Sequence, residues 1–285
     1  YETYLKRLDT VSVAGVQLAA ERFLKPDSAV ILVVGDKEQV GNTLAPLAAS
    51  KAVIYSDING DVEREHAEPA PAGMTAQNVL DAYIAAIGGK AAVQKVTDLK
   101  REYTTTVQGM TASMVEYNQA PGKYAMEMKM GEMVLQKLVY DGTRGISGGM
   151  QGDKELEGAE LDEVKKSAYA FPELHYEDLG NVPLLLGVEE VGGKKAYLVK
   201  VKTLDGGQFS EYYDVATGLK LRRMEAQRSA DGTTLQVITD YGDYKPEDGV
   251  LFPNTIRQNA GMDMTLTATK ISVNKGIDPS KFKVE

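Results

Sequence analysis

From residue 196 to residue 273 apolar and polar side chains alternate in a series of short runs, 196–202, 209–215, 219–226, 235–241, 254–258 and 262–273. Turn signals bound them: Asp205-Gly206-Gly207, Ala216-Thr217-Gly218, Asp231-Gly232, Pro246-Glu247-Asp248-Gly249 and Ala260-Gly261. Side chains on a strand point alternately to two faces, and Gly or Asp-Gly supplies the positive φ of a tight turn. The pattern therefore predicts half-buried antiparallel strands in one large curled meander. Runs at 99–108, 112–118, 123–129 and 133–140 continue the sheet backward, with Asp141-Gly142 as a turn. A charged, helix-favouring stretch at 153–168 and an irregular apolar passage at 171–187 interrupt it. Ahead of the first strand, Thr75 is placed to cap a helix whose Val79, Leu80, Tyr83, Ile84 and Ile87 form one apolar stripe. Gly88-Gly89 ends that helix, and a short helical turn through Val93 follows.

The first quarter of the chain has a different rhythm. Residues 1–8 look like the tail of an amphipathic helix, so the chain reads as the C-terminal part of something longer. Ser12 is a good cap for a helix over 13–24, which Pro26 stops; a β-branched strand is expected at 28–34, a helix from Asp36 through Leu44 and a short strand at 52–55. Residues 61–73, charged and then rich in Pro and Ala, lack apolar periodicity and read as a linker stiffened by Pro69 and Pro71. The expected organisation is α+β: a short α/β remnant at 1–60, a linker at 61–73, and a curled antiparallel sheet with accompanying helices at 74–285.

Composition narrows the choice of partners. The 285 residues are 43% hydrophobic and 26% charged, enough for a sizeable core. A formal net charge of −9 argues against nucleic acid or an anionic membrane surface, both of which reward clustered Lys and Arg. The longest apolar run, residues 29–34, is far too short to span a bilayer. With no cysteine there is neither a disulfide framework nor thiolate chemistry.

Candidate chemistry is sparse. A nucleophile elbow, a phosphate loop, a calcium loop and a Cys/His ligand cluster are all missing. The glycine-rich stretch 145–152 lacks the lysine and the strand-to-helix context of a phosphate loop and reads as a mobile loop. Methionine is more informative. Alternation puts Tyr124, Met126, Met128 and Met130 on one face of their strand, Met262, Met264 and Leu266 form a similar face, and Met110 and Met114 extend it. Unbranched, polarizable thioethers let a concave surface mould itself to acyl chains or apolar peptides. The alternative is an ordinary core packed against the helix carrying Val79 to Ile87.

Two resemblances add to this. Phe23-Leu24-Lys25-Pro26-Asp27, the strand from Ala29 to Gly35-Asp36, then Val40, Leu44 and the close on Val53-Ile54-Tyr55, resemble the last elements of the insulinase-like zinc peptidase family of the pitrilysin clan, over about residues 1–60. That family's zinc motif is His-x-x-Glu-His, in its N-terminal half. Here the histidines are His66 and His175 alone; His66 follows Glu63-Arg64-Glu65, but Val62 stands where the first ligand belongs, and His66 reads as a solvated linker residue. The resemblance implies no metal and no cofactor in this chain, zinc being expected only in an upstream catalytic domain.

Residues 74–285 resemble the outer-membrane lipoprotein-sorting, or lipoprotein-carrier, family. The resemblance rests on the order and spacing of Ala82 to Gly89, Ala120-Pro121-Gly122, Tyr140-Asp141-Gly142, Tyr212-Tyr213-Asp214 with Thr217-Gly218, Phe252-Pro253 and the ending Val273-Asn274 with Phe282. It implies a half-open barrel with helices plugging its mouth, placed in the periplasm or cell envelope. The combined expectation is a non-catalytic region of a zinc-peptidase-like envelope protein whose barrel binds a lipid tail, lipoprotein or extended peptide. The alternative is a ligand-free scaffolding domain docked on active upstream peptidase domains.

Overall fold

The computed structural model describes residues 11–23, 33, 55–56, 62–63, 67–107, 109–150, 152–228 and 234–284, in two compact units, Tyr1–Glu63 and Arg64–Glu285. In the first unit, helix α1 (Val13–Phe23) starts where Ser12 predicts: the Gly15 N–H donates to Ser12 Oγ at 3.1 Å. Strand β1 (Tyr55–Ser56) pairs antiparallel with β2 (Val62–Glu63), so part of the stretch read as linker carries backbone pairing. The strand expected at 28–34, apart from Val33, the helix at 36–44 and His66 lie outside the described residues. Most of the stretch that resembles the peptidase family lies outside them as well.

The second unit opens with helix α2 (Ala76–Ala86). Its Thr75 hydroxyl accepts from the Asn78 N–H, and the Asn78 side chain accepts from the Thr75 N–H, a reciprocal cap. A single turn, α3 (Lys90–Val93), leads into a run of six strands: β3 (Asp98–Val107), β4 (Met110–Gln119), β5 (Lys123–Met130), β6 (Met133–Tyr140), β7 (Gly145–Gly149) and β8 (Lys154–Leu156). An insert of helix α4 (Gly158–Ser167) and a 3₁₀ turn (Pro172–His175) follows. Seven more strands close the chain: β9 (Val182–Val191), β10 (Lys194–Lys202), β11 (Gln208–Asp214), β12 (Lys220–Arg228), β13 (Thr234–Glu247), β14 (Val250–Asn259) and β15 (Asp263–Val273).

All thirteen pair antiparallel in one open sheet, in the order β8-β7-β6-β5-β4-β3-β15-β14-β13-β12-β11-β10-β9. Each half is a meander of neighbours in sequence, and the β3–β15 ladder joins the halves. The free edges are β8 and β9, and the insert is the stretch of chain that links them. Asn274 fixes the join: its Oδ1 accepts from the Thr97 N–H at 2.8 Å and its Nδ2 donates to the Lys95 carbonyl at 2.8 Å.

The structure departs from the sequence expectation at three places. The first five residues of the glycine-rich stretch are not a loop: Gly145–Gly149 is strand β7, paired to β6. A Cβ on Gly145 would come within 3.0 Å of Leu161 and 3.2 Å of Val164, so the bare backbone is what lets α4 lie close to the sheet. The irregular apolar passage ends in an ordered edge strand, β9. Glu68, in the expected linker, exchanges both backbone hydrogen bonds with Val188 of that edge at 2.8 Å each. An unpaired edge presents N–H and C=O groups that seek partners, and Gly187 admits this one, since a Cβ there would sit 2.6 Å from the Glu68 carbonyl oxygen.

Two helices cover one face of the sheet, here called the inner face. Helix α2 buries Val79, Leu80, Tyr83 and Ile84, with Ile87 just beyond its end, against Leu99, Val199, Val201, Phe209, Tyr213, Val250, Phe252 and Val273. Helix α4 brings Leu161, Val164 and the adjoining Ala168 against Tyr103, Met114, Tyr124, Met126, Tyr140 and Leu266. On the outer face the C-terminal turn (Pro279–Phe282) inserts Phe282 among Ala125, Val139 and Ile146.

Candidate functional site: an inner face with a cleft at its mouth

A cleft of about 1070 Å³ opens where α3, the β4–β5 turn, the C-terminal end of α4 and the β10–β11 turn converge. Val93, Leu99, Tyr140, Ala168, Phe171 and Leu174 supply its apolar wall, and Lys165, Lys166, His175, Asp178 and Asp205 its charged rim. The rim is largely self-paired: Lys166 sits 2.7 Å from Glu163 and 3.6 Å from Asp205, and His175 Nδ1 lies 3.4 Å from Asp178. Such exposed pairs contribute little to stability.

Behind the cleft, under α4, lies the methionine surface. Tyr124, Met126, Met128, Met264 and Leu266 share one cluster with Met114, as alternation along β5 and β15 predicts. Met130 and Met262 do not join them: Met130 pairs with Met133 beside the β5–β6 turn, and Met262 is 84% exposed at the β14–β15 turn. Met110, half exposed, also stands apart. The plug residues Val79, Leu80, Tyr83, Ile84 and Ile87 are buried as a stripe, but over the other half of the sheet. The methionines are therefore covered by α4 and not by the helix that the sequence suggested.

Alternation also carries charge inward. On β3 the inner face reads Leu99, Arg101, Tyr103, Thr105. Arg101 Nη2 donates to Asn118 Oδ1 at 2.7 Å, and its Nε lies 3.2 Å from Glu116 Oε2 without hydrogen-bond alignment. Glu116 accepts in addition from the Tyr124 hydroxyl at 3.0 Å. Asn118, 3% exposed, donates its Nδ2 to the carbonyl of Ser167, the last residue of α4, at 2.7 Å. Burial pushes the Tyr103 hydroxyl up to about 12, partly offset by the Arg101 charge.

A second buried cluster lies in the other half. Glu211, fully buried between Phe209 and Tyr213, accepts from Lys220 Nζ at 2.5 Å, from the Tyr213 hydroxyl at 2.6 Å and from the Tyr176 hydroxyl at 2.8 Å. Lys220 also donates to Glu173 of the insert, and stands 5.5, 5.6 and 5.8 Å from the ring centroids of Tyr83, Tyr213 and Tyr241. Burial works to raise the Glu211 pKa, but Lys220 and Arg223 outweigh it and hold the carboxyl below its usual range. Burial likewise opposes the Lys220 charge, and Glu173 with Glu211 more than restores it. Every polar atom named here has a partner, so the cluster pins the Pro172–Tyr176 end of the insert to the sheet. The sequence carried one signal for both clusters: Arg101 and Glu211 stand at apolar positions of alternating runs.

Among the described residues no group of three or more His, Asp or Glu could hold a metal ion, and no helix is long and apolar enough to cross a membrane. No family model matches the chain, and neither does any curated protein sequence. Among solved structures, the chain is similar to a DUF1329 family protein from Desulfovibrio piger, with 12% identity over 73% of this chain and 97% of that one and a TM-score of 0.49. It is similar in the same way to a LolA superfamily protein from Nitrosomonas europaea, with 11% identity, coverage of 74% and 99% and a TM-score of 0.49. A MucA/MucB complex from Pseudomonas aeruginosa matches at 14% identity, over 74% of this chain and 61% of that one, with a TM-score of 0.27.

Proposed function

We propose that residues 74–285 form a non-catalytic module that binds an apolar ligand, such as a lipid tail or an extended apolar peptide, on the methionine-lined inner face. One observation carries the reading. The surface formed by Met114, Tyr124, Met126, Met128 and Leu266 is sealed by a short, polar helix through Leu161, Val164 and the adjoining Ala168, and that helix borders an open cleft. Lifting α4 would join cleft and methionine surface into one trough. Displacement of a fluorescent long-chain probe from the purified chain tests this. Saturable binding, weakened at least about tenfold by Met126→Glu because a charge would then sit against the tail, is expected; failure of every apolar probe to bind would end the reading.

The finer context rests on the sequence resemblances: a place in the cell envelope, downstream of a zinc-peptidase half to which residues 1–60 belong. Reading the upstream sequence for His-x-x-Glu-His tests it, and its absence would remove the peptidase context while leaving the ligand-binding reading intact.

A further inference from the structure

We infer that the ligand is a single-chain amphiphile with an acidic head, and that Asn118 and Arg101 receive the head in place of the Ser167 carbonyl. The inference rests on the apolar-ligand reading and names the ligand class for the same trough.

Position comes first. On the inner face of β3, Leu99 lines the mouth cleft, Tyr103 lies in the methionine cluster, and Arg101 stands between them, about 7 Å from each along the strand. Asn118 sits directly across from Leu99 in the β3–β4 ladder and also lines the cleft. The pair therefore marks the doorway between solvent and trough. A head held at this point leaves a tail directed toward Tyr103, Met114 and Met126.

Donor accounting comes next. In the closed arrangement the Asn118 Nδ2 is spent on Ser167, whose carbonyl is one of the four at a helix C-terminus left without an intrahelical partner. The Arg101 Nε is buried and out of line with its one carboxylate, Glu116, which the Tyr124 hydroxyl also uses. When α4 lifts, Asn118 loses its acceptor, and two donors at the doorway are left without an aligned one. Unpaired buried donors are costly, whereas hydrogen bonds to a charged acceptor are roughly twice as strong as neutral ones. A head with two acidic oxygens satisfies both donors. A plain hydrocarbon satisfies neither, and an alcohol brings no charge.

Three probes of equal chain length test it on the intact chain: an alkyl carboxylate, an alkyl phosphate and an alkyl alcohol, each displacing a fluorescent tail probe. The acidic probes should bind about tenfold tighter than the alcohol, since one charge-assisted hydrogen bond more is worth about a factor of ten. Whichever acid binds tighter identifies a carboxylate-headed or a phosphate-headed source, and either result supports the inference. Asn118→Asp retains an acceptor for Arg101 and should bring the acid-to-alcohol ratio below one. Arg101→Gln should bring it to about one, with a melting curve showing that each variant is folded. Equal binding of all three probes would overturn this inference while the apolar-ligand reading stands, and no binding by any of them would overturn both.

Discussion

Helices α2 and α4 lie on the same face of the same sheet, and they do different work. Helix α2 buries Val79, Leu80, Tyr83, Ile84 and the following Ile87, which at about 1.5–3 kcal/mol per large apolar side chain contributes on the order of 10 kcal/mol. Its end is fastened too: the Leu251 N–H donates to the Ile87 carbonyl at 2.8 Å, and Gly88 passes close to the Gly249 carbonyl. Among its described side chains helix α4 fully buries Val164 alone and packs Leu161 in part, which by the same measure is worth only a few kcal/mol. One helix is core and the other is a cover. The difference also runs within the insert, whose Glu173–Tyr176 end is locked into the Lys220–Glu211 cluster while the α4 end is tied by Asn118. A cover anchored at one end and lightly held at the other can open without unfolding the sheet.

The sharpest way to break this contrast is at the anchor. Lys220→Met leaves Glu173 and Glu211 buried face to face with no cation between them, and should cost about 3–5 kcal/mol, read as a drop in urea midpoint at pH 7. The pH dependence gives the sign. The folded pKa of Glu211 is depressed, so its stabilising contribution is present above the ordinary carboxylate pKa and is lost as pH falls through the depressed value. In Lys220→Met the dependence should invert, with stability recovering on acidification as the buried Glu211 carboxylate takes up a proton. A variant as stable as the parent at pH 7 would show that the anchor does not hold the insert.

A smaller effect is expected at the fastening of α2. Gly88 has a φ of +129°, and a Cβ there would lie 2.3 Å from the Gly249 oxygen. Gly88→Ala must therefore strain the backbone and push β14 away, at a cost on the order of 2 kcal/mol. The same substitution at Gly89, where a Cβ meets nothing within 4 Å, should cost less, and the gap between the two melting temperatures isolates the contact.

How much of this was legible in the residues differs from one half to the other. Strand alternation placed β5 and β6 almost to the residue and put Tyr124 and Met126 inward, because a period of two is a local property. It did not show which helix covers them, since that depends on the insert crossing from β8 to β9. Strand β7 was hidden because Gly145, Gly148 and Gly149 carry no side chains to alternate; Gly145 matters for the space it leaves under Leu161 and Val164. Glu211 stood visibly at an apolar position, but its partner Lys220 reaches it across a register shift at Tyr212/Tyr213, and Glu173 comes from outside the sheet. Neither pairing has a signature along the chain.

Sharpening the contrast needs a substitution that loosens the cover alone. Val164→Ala trims a fully buried side chain of α4 and should cost about 1 kcal/mol, confined to that helix. Exchange of α4 amides should quicken while that of α2 and β10 stays unchanged. Tyr103 gives an independent readout from beneath the cover. Its raised pKa stabilises the closed form below the ordinary tyrosine pKa near 10, and that contribution is lost as pH rises through about 12. In Val164→Ala the Tyr103 transition should move down toward 10 in an ultraviolet titration, and the long-chain probe should bind a few-fold tighter because less of the binding free energy is spent on opening. Quickened exchange in α2 as well would mean that the two helices open together and are one core.

The smallest effect has the opposite sign. Thr105 follows Tyr103 on the inner face of β3, is 5% exposed, and its hydroxyl has no hydrogen-bond partner. Leaving a buried hydroxyl unpaired costs free energy that an isosteric methyl group does not. Thr105→Val should therefore raise stability by up to about 1 kcal/mol, seen as a higher urea midpoint with an unchanged slope. It should leave the acid-to-alcohol preference where Arg101 and Asn118 set it, because Thr105 stands two positions beyond Tyr103, away from the doorway. A loss of stability in Thr105→Val would show that the hydroxyl is satisfied after all, and that the inner face of this half is wetter than a trough for hydrocarbon allows.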